Sequence, residues 1–150
     1  MKLDVGTIFR WKDFPEPRSG EVKARWFIYL GDSGLFSQVL IAYLCTTTTQ
    51  IHHFKAGGNR STHDHHLFRK SPDSPFEEDC ILDFDERPHA LAKSTLENNS
   101  DIESKGKLNE QTLRMIYNRI LKSRFYSKII LWDIHESFNK TGIAGLKKPK

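Results

Sequence analysis

The residues best suited to chemistry stand at the ends of two apolar runs. Arg25 is at the foot of Trp26-Phe-Ile-Tyr-Leu30, shortly after a turn marked by Gly20. Arginine carries a permanent charge on a planar fork that matches phosphate oxygens, so an arginine held by a rigid strand suits charge stabilisation on a phosphoryl group. The alternative is an edge arginine that pairs with Glu21 or Asp32. The second run, Val39-Leu-Ile-Ala-Tyr-Leu-Cys45, closes on four threonines, Thr46 to Thr49. Hydroxyls such as those of Thr46 and Thr47 can orient a phosphate or donate to it. Threonine is also frequent in strands through β propensity alone. Glu21 has the chemistry of a base, and a histidine, titrating nearer neutrality, that of an acid. The pairs His52-His53 and His63-Asp-His65-His66 raise the question of zinc, but their spacing matches no strong ligand pattern and neither cysteine is near, so no metal and no cofactor is expected.

These residues need a scaffold of strands. Val5 to Lys12 alternates, with Phe9 and Trp11 on one face and Ile8, Arg10 and Lys12 on the other, which predicts a half-buried first strand. Phe14 to Gly20 is rich in proline and turn residues and reads as a loop. A second strand over Arg25–Leu30, a turn at Gly31-Asp-Ser-Gly34 and a third strand over 38–46 complete an antiparallel meander. In that meander Arg25 begins one strand and Thr46 ends its neighbour, so both lie at one end of the sheet. Residues 52–75 hold five histidines, two prolines and Gly57-Gly58, and read as a long exposed excursion with a short strand near Leu67-Phe68. Glu78 to Asp85 alternates as a further strand, and 94–107 is polar and loop-like. Leu113, Ile116, Tyr117, Ile120 and Leu121 line one face of a helix from Glu110 to about Ser123, with Asn109 as N-cap and Leu108 stapled to Leu113. Ile130, Ile134 and Phe138 suggest a second, shorter helix, although 128–132 equally suits a strand. The tail from Gly142 to Lys150 is expected to fray.

The composition fits this arrangement. A chain of 150 residues, 37% hydrophobic and 28% charged, is long enough for one globular domain with its own core. It has no apolar run of membrane-spanning length, and Met1-Lys-Leu-Asp4 does not open a signal peptide, so a soluble cytoplasmic protein is expected. Cys45 and Cys80 lie in apolar surroundings and read as reduced core residues. Residues 1–70 carry ten Lys/Arg against six Asp/Glu, 71–104 two against ten, and 105–150 eleven against three. Either basic end could face a polyanion, and the acidic middle block is expected to turn away from it.

The assembled pattern resembles the MazF/PemK (Kid) family of toxin ribonucleases over about residues 5–50 and 76–125. Val5-Gly-Thr-Ile-Phe9 is similar to the family's opening strand. Gly20 to Leu30 is similar to its loop leading into Arg-Pro and an apolar strand, with Trp26 standing where the proline is usual. Val39 to Thr47 is similar to its third strand, which closes on a Thr-Ser or Thr-Ala pair. Phe76-Glu-Glu-Asp-Cys-Ile-Leu82 is similar to a later strand, and Leu108 to Ser123 sits where the family has its C-terminal helix. Thr7 replaces an acidic residue, and both the histidine-rich excursion and the chain after Ser127 are additions. The resemblance implies a mainly β fold with C-terminal α structure, a small SH3-like antiparallel barrel followed by one or two helices. It divides the chain into a barrel domain, 1–126, and a C-terminal extension with a basic tail, 127–150.

It also implies a function. RNA is cleaved without a metal when its own 2′-OH attacks the neighbouring phosphorus, and the protein must then move two protons and stabilise phosphoryl charge. Arg25, Thr46 and Glu21 are the candidate catalytic residues. Lys23, Thr47, Phe14 (as a stacking ring), His52 and His53 are the candidate RNA contacts. The expected protein is a sequence-selective, metal-independent endoribonuclease, the homodimeric toxin of a toxin–antitoxin pair, with single-stranded RNA as substrate and a cognate antitoxin as partner. The competing readings are a toxin of the CcdB type that binds DNA gyrase, and a non-catalytic barrel that binds nucleic acid.

Overall fold

The computed structural model describes residues 2–15, 22–34 and 39–150. Its centre is the expected antiparallel meander: β1 (Thr7–Pro15), β2 (Val22–Asp32) and β3 (Ile41–Thr48). Four shorter strands extend it: β4 (His65–Phe68), β5 (Cys80–Asp83), β6 (His89–Ala92) and β7 (Ile102–Lys107). The order is β4-β5-β3-β2-β1-β7, with β6 also paired to β3. All these pairings are antiparallel, and the result is a curled half-barrel sheet.

The outer edge of β3 is shared. Ile41 to Leu44 pair with β6, whereas Thr47 and Thr48 pair with β5. The sheet therefore forks beside Cys45 and Thr46, and the chain between the branches, 84–88, passes the end where Arg25 lies.

Both faces of the meander are covered, which explains why its runs are continuously apolar. On one face Ile8, Ile28, Leu30 and Cys45 pack with Leu113, Ile116, Ile134 and Phe138 of two C-terminal helices, α2 (Glu110–Ile120) and α3 (Lys128–Lys140). On the other, Phe9, Trp11, Phe14, Phe27, Tyr29 and Leu44 pack with Leu96 and Ile102. The first strand is thus buried on both sides in its first half, not half-buried, with Ile8 and Phe9 both at 0% exposure. It also runs further than expected, to Pro15. A register shift between Trp11 and Phe14 turns the Phe14 ring into the core, and proline is tolerated where a strand ends.

Two segments that read as loop are ordered elements. Residues 94–107 hold most of a short helix, α1 (Lys93–Glu97), and all of β7. β7 buries little beyond Ile102 and presents charges outward, as suits the edge of a sheet. Asn109 caps α2 by accepting from the Thr112 amide at 2.8 Å, and Leu108 is buried in the same cluster as Leu113. The segment 128–140 is helical rather than a strand, capped by Ser127 and longer than α2. Gly31, with φ +138°, lets this helix approach β2: a Cβ there would lie 2.4 Å from Cβ of Ser137.

The tail is docked, not frayed. α3 ends in a Schellman turn: Gly142 takes φ +95°, its amide donates to Asn139 O and the amide of Ile143 donates to Phe138 O. The chain then doubles back over α2, where Arg114 donates to Ala144 O at 2.8 Å and Tyr117 Oη donates to Lys147 O. Ile143 and Pro149 are buried.

Candidate functional site

Alternation along β2 puts Lys23, Arg25, Phe27 and Tyr29 on one face. Register adds Trp11 opposite Arg25, Phe14 opposite Lys23 and Thr46 opposite Phe27. Phe27 and Tyr29 continue into the core, while Lys23 and Arg25 emerge at its rim. There they border a cleft of about 610 Å³, together with Thr46, Thr47, Thr48 and His53. Arg25 is half-buried, its Nε sealed from solvent, so its charge sits on rigid backbone at the cleft wall. Asp32, one of the partners considered for it, is engaged elsewhere: it accepts from Lys93 and Tyr29, each at 3.1 Å, and from the Gly34 amide. Burial raises the Asp32 pKa, but these bonds outweigh it and hold the carboxyl below its ordinary range.

The threonines divide their work. Thr46 Oγ1 donates its one proton to Trp26 O at 2.9 Å, so it ties β3 to β2 and has no second proton for a phosphate. Thr47 points to the opposite face, where its hydroxyl bonds the Cys80 thiol; burial dominates there and pushes that thiol up to about 11. Thr48 is the better phosphate contact. It is half-buried on the cleft, and its oxygen accepts from the Gln50 amide at 3.1 Å, which leaves its proton to offer.

At the cleft wall, Glu86 and Arg87 come from the segment between β5 and β6, His89 from the start of β6 and Asp83 from the end of β5. The excursion contributes Arg60 and His53. The His89 ring stands edge-on to Phe27 and Phe14 at 5.4 and 5.5 Å, fixed by the same core that carries Arg25. His53 Nε2 is 3.0 Å from Gln50 Oε1. Asp83, 4% exposed, accepts from His63 Nδ1 at 2.9 Å and from Arg60 at 3.3 Å.

Not every expected residue arrives. Phe14 is 3% exposed, wedged at 4.9 Å against both Trp11 and Phe27, so its ring has no face to offer a base. His52 stacks on His53 at 4.1 Å but does not border the cleft. Glu21 lies outside the described residues. The acidic block does not turn away either: Glu77, Glu78, Asp83 and Glu86 share the cleft with Arg25, because β5 and the fork lie beside the threonine end of β3. The histidines of the excursion do not converge on one point. His63 bonds Asp83, His65 bonds the His63 carbonyl and His66 packs edge-on to Phe68. Among the described residues no group of three or more His, Cys, Asp or Glu is placed to hold a metal ion.

Comparison with family models, curated proteins and solved structures finds no significant match. Thr48 belongs to the threonine run read from the sequence, whereas Arg87 and His89 were not singled out. Arg87 and His89 flank Pro88 in an unremarkable stretch, and only the forked pairing of β3 brings them beside Arg25.

Proposed function

We propose that this cleft cleaves single-stranded RNA without a metal, and that the protein is a MazF/PemK-like endoribonuclease toxin. The observation that carries the reading is the mixed wall of the cleft. Lys23, Arg25, Arg60 and Arg87 share it with four carboxylates and the imidazoles of His53 and His89. A groove that only binds a polyanion gains nothing from four carboxylates, since each repels phosphate. A site that must also move protons needs such groups next to its cations.

In this reading Arg25 and Thr48 hold the phosphoryl oxygens as charge accumulates on them. The 2′-oxygen bonds to phosphorus, the bond to O5′ breaks, and the products are a 2′,3′-cyclic phosphate and a 5′-hydroxyl. Thr46 keeps β2 and β3 in register beneath Arg25, and Lys23 contacts a neighbouring phosphate.

The curled meander with C-terminal helices supports the SH3-like barrel of that family. Among the described residues no helix is long and apolar enough to cross a membrane. The proposal extends to a cytoplasmic homodimer held in check by an antitoxin, whose disordered segment would fold onto an exposed strand edge.

The test is incubation of the purified protein with a long RNA in the presence of EDTA. Discrete fragments ending in cyclic phosphate are expected. Intact RNA would overturn the nuclease reading and, if binding persisted, leave a non-catalytic nucleic-acid-binding fold. Cleavage lost in EDTA and restored by one cation would overturn the metal-free mechanism.

A further inference from the structure

The walls of the cleft are not held equally. Arg25 and Thr48 stand on β2 and β3, in the middle of the sheet. His53, Asn59 and Arg60 come from the excursion before β4, and Glu86 and Arg87 from the segment after β5. Both segments leave from one end of the β4–β5 ribbon, where His65 pairs with Asp83. The ribbon hangs from β3 by two residue pairs, Thr47 with Leu82 and Thr48 with Ile81. Past its end the two chains stay together for one more step. Asp64 O accepts from the Phe84 amide at 2.9 Å, and the Asp64 amide donates to the Asp85 carboxylate at 3.0 Å.

Arg119 of α2 grips this end from outside the sheet. Its Nε donates to Asp64 Oδ2 at 2.8 Å and its Nη2 to Asp64 Oδ1, while Nη2 also reaches His65 O at 3.2 Å. Its guanidinium carbon lies 5.1 Å from the centre of the Phe84 ring, so one side chain touches the ends of both strands. The helix beneath it is rigid: Ile116, Tyr117 and Ile120 are all at 0% exposure. The bonds from Arg119 hold the Asp64 carboxyl below its ordinary range, against the opposing effect of its partial burial. Yet the two side chains are 34% and 38% exposed, and a pair so open to water adds little to stability. Its effect lies in geometry, because a planar fork on a carboxylate fixes direction as well as distance.

We propose that Arg119, acting through Asp64, is a positioning residue of the cleft. It sets the end of the β4–β5 ribbon, and with it the two segments that bring His53, Arg60 and Arg87 into the cleft that holds Arg25. Arg119 itself does not border that cleft. The inference rests on the nuclease reading and deepens it.

The experiment measures single-turnover cleavage of one RNA at saturating protein, with EDTA present, for wild type, R119Q, R119K, D64N and R114Q. Binding of a 2′-O-methyl oligonucleotide is measured in parallel. R114Q is the control on the same helix, since the Arg114 bonds run to Glu110 and to Ala144 O instead. R119Q and D64N are expected to lower the rate by about 10- to 100-fold, the order that a misplacement of about 1 Å costs. Affinity should stay within about threefold of wild type, because Lys23 and Arg25 stand on β2. The double variant R119Q/D64N should lose no more than either single one, since both remove the same bond. R119K keeps the charge without the fork and should also be slow, by about fivefold or more, so it serves if R119Q fails to fold. R114Q should match wild type. Histidine NMR of the free protein should show the His53 ring signals moved by R119Q or R119K, a readout that needs no cleavage. Wild type that cleaves, with R119Q and R119K within about threefold of it, would overturn the inference and leave the nuclease reading intact. R114Q as slow as R119Q, a loss in affinity instead of rate, or unmoved His53 signals would overturn it as well. Wild type that leaves RNA intact would overturn both.

Discussion

The charge census of the cleft makes salt dependence a sharp test. Four cations line it, but Arg60 is held by Asp83 at 3.3 Å. Lys23, Arg25 and Arg87 are then at most three phosphate contacts. For a single strand each contact contributes roughly 0.7 log units of affinity per tenfold salt, so the slope should be about −2. Raising salt from about 50 to 200 mM should weaken binding on the order of 20-fold. Replacing Lys23 and Arg25 by glutamine should bring the slope near −0.7, and the same salt step should then cost only about threefold. Neutralising Lys147, Lys148 and Lys150 should leave the slope unchanged, since none of them borders the cleft. The assay is fluorescence anisotropy with a labelled 2′-O-methyl oligonucleotide, which binds but cannot attack its own phosphate. A slope indifferent to Lys23 and Arg25 but flattened by the tail changes would place RNA on the C-terminal part and refute the cleft assignment.

Arg25→Ala should lower the cleavage rate by about 10²–10³, the usual cost of removing one preorganised charge donor, measured in single turnover. Thr46→Val should cost about 1 kcal/mol of stability by urea titration, because it loses the bond to Trp26 O, yet change the rate little; Thr48→Val should do the reverse. Deleting 143–150 should destabilise the fold by about 3 kcal/mol, from the exposed Ile143 pocket and the lost acceptor of Tyr117, whereas a frayed tail would cost nothing. Burial, aided by Arg119 and His65, holds the His66 pKa below its ordinary 6.5. Its contribution to stability is therefore full above about pH 6.5 and declines as pH falls towards the folded value, since the unfolded chain binds the proton first. His66→Gln should remove that decline, seen as a smaller shift of the urea midpoint between pH 7.5 and 5.5.

The parts of the fold that were readable from the sequence are those that alternation, runs and caps control. The pairing of β2 with β3 follows from two apolar runs joined by a short turn, and it brings Arg25 and Thr46 to one end without further information. α2 was readable from its periodicity and from Asn109. What could not be read is what depends on pairing between distant segments. β7 shows six mostly polar residues because it is an edge strand, and its only instruction is the neighbour it pairs with, β1. The docking of the tail depends on Gly142 adopting a left-handed turn and on the backs of Arg114 and Tyr117, none of which marks the sequence of 142–150 itself.

The same limit governs the site. Charge was read in blocks along the chain, and a block with two cations and ten acids reads as a surface to be turned from phosphate. Antiparallel pairing of β5 with the threonine end of β3 does the opposite and delivers Asp83 and Glu86 to Arg25. Net charge over a segment predicts long-range attraction, but chemistry depends on which few groups share a wall. Asp83 illustrates this. It belongs to the most acidic part of the chain, yet it lies sealed between Arg60 and His63. The acidic block is therefore not one surface: its most buried member is spent on an ion pair with Arg60 and a bond to His63, while Glu77, Glu78 and Glu86 stay at the cleft beside Arg25.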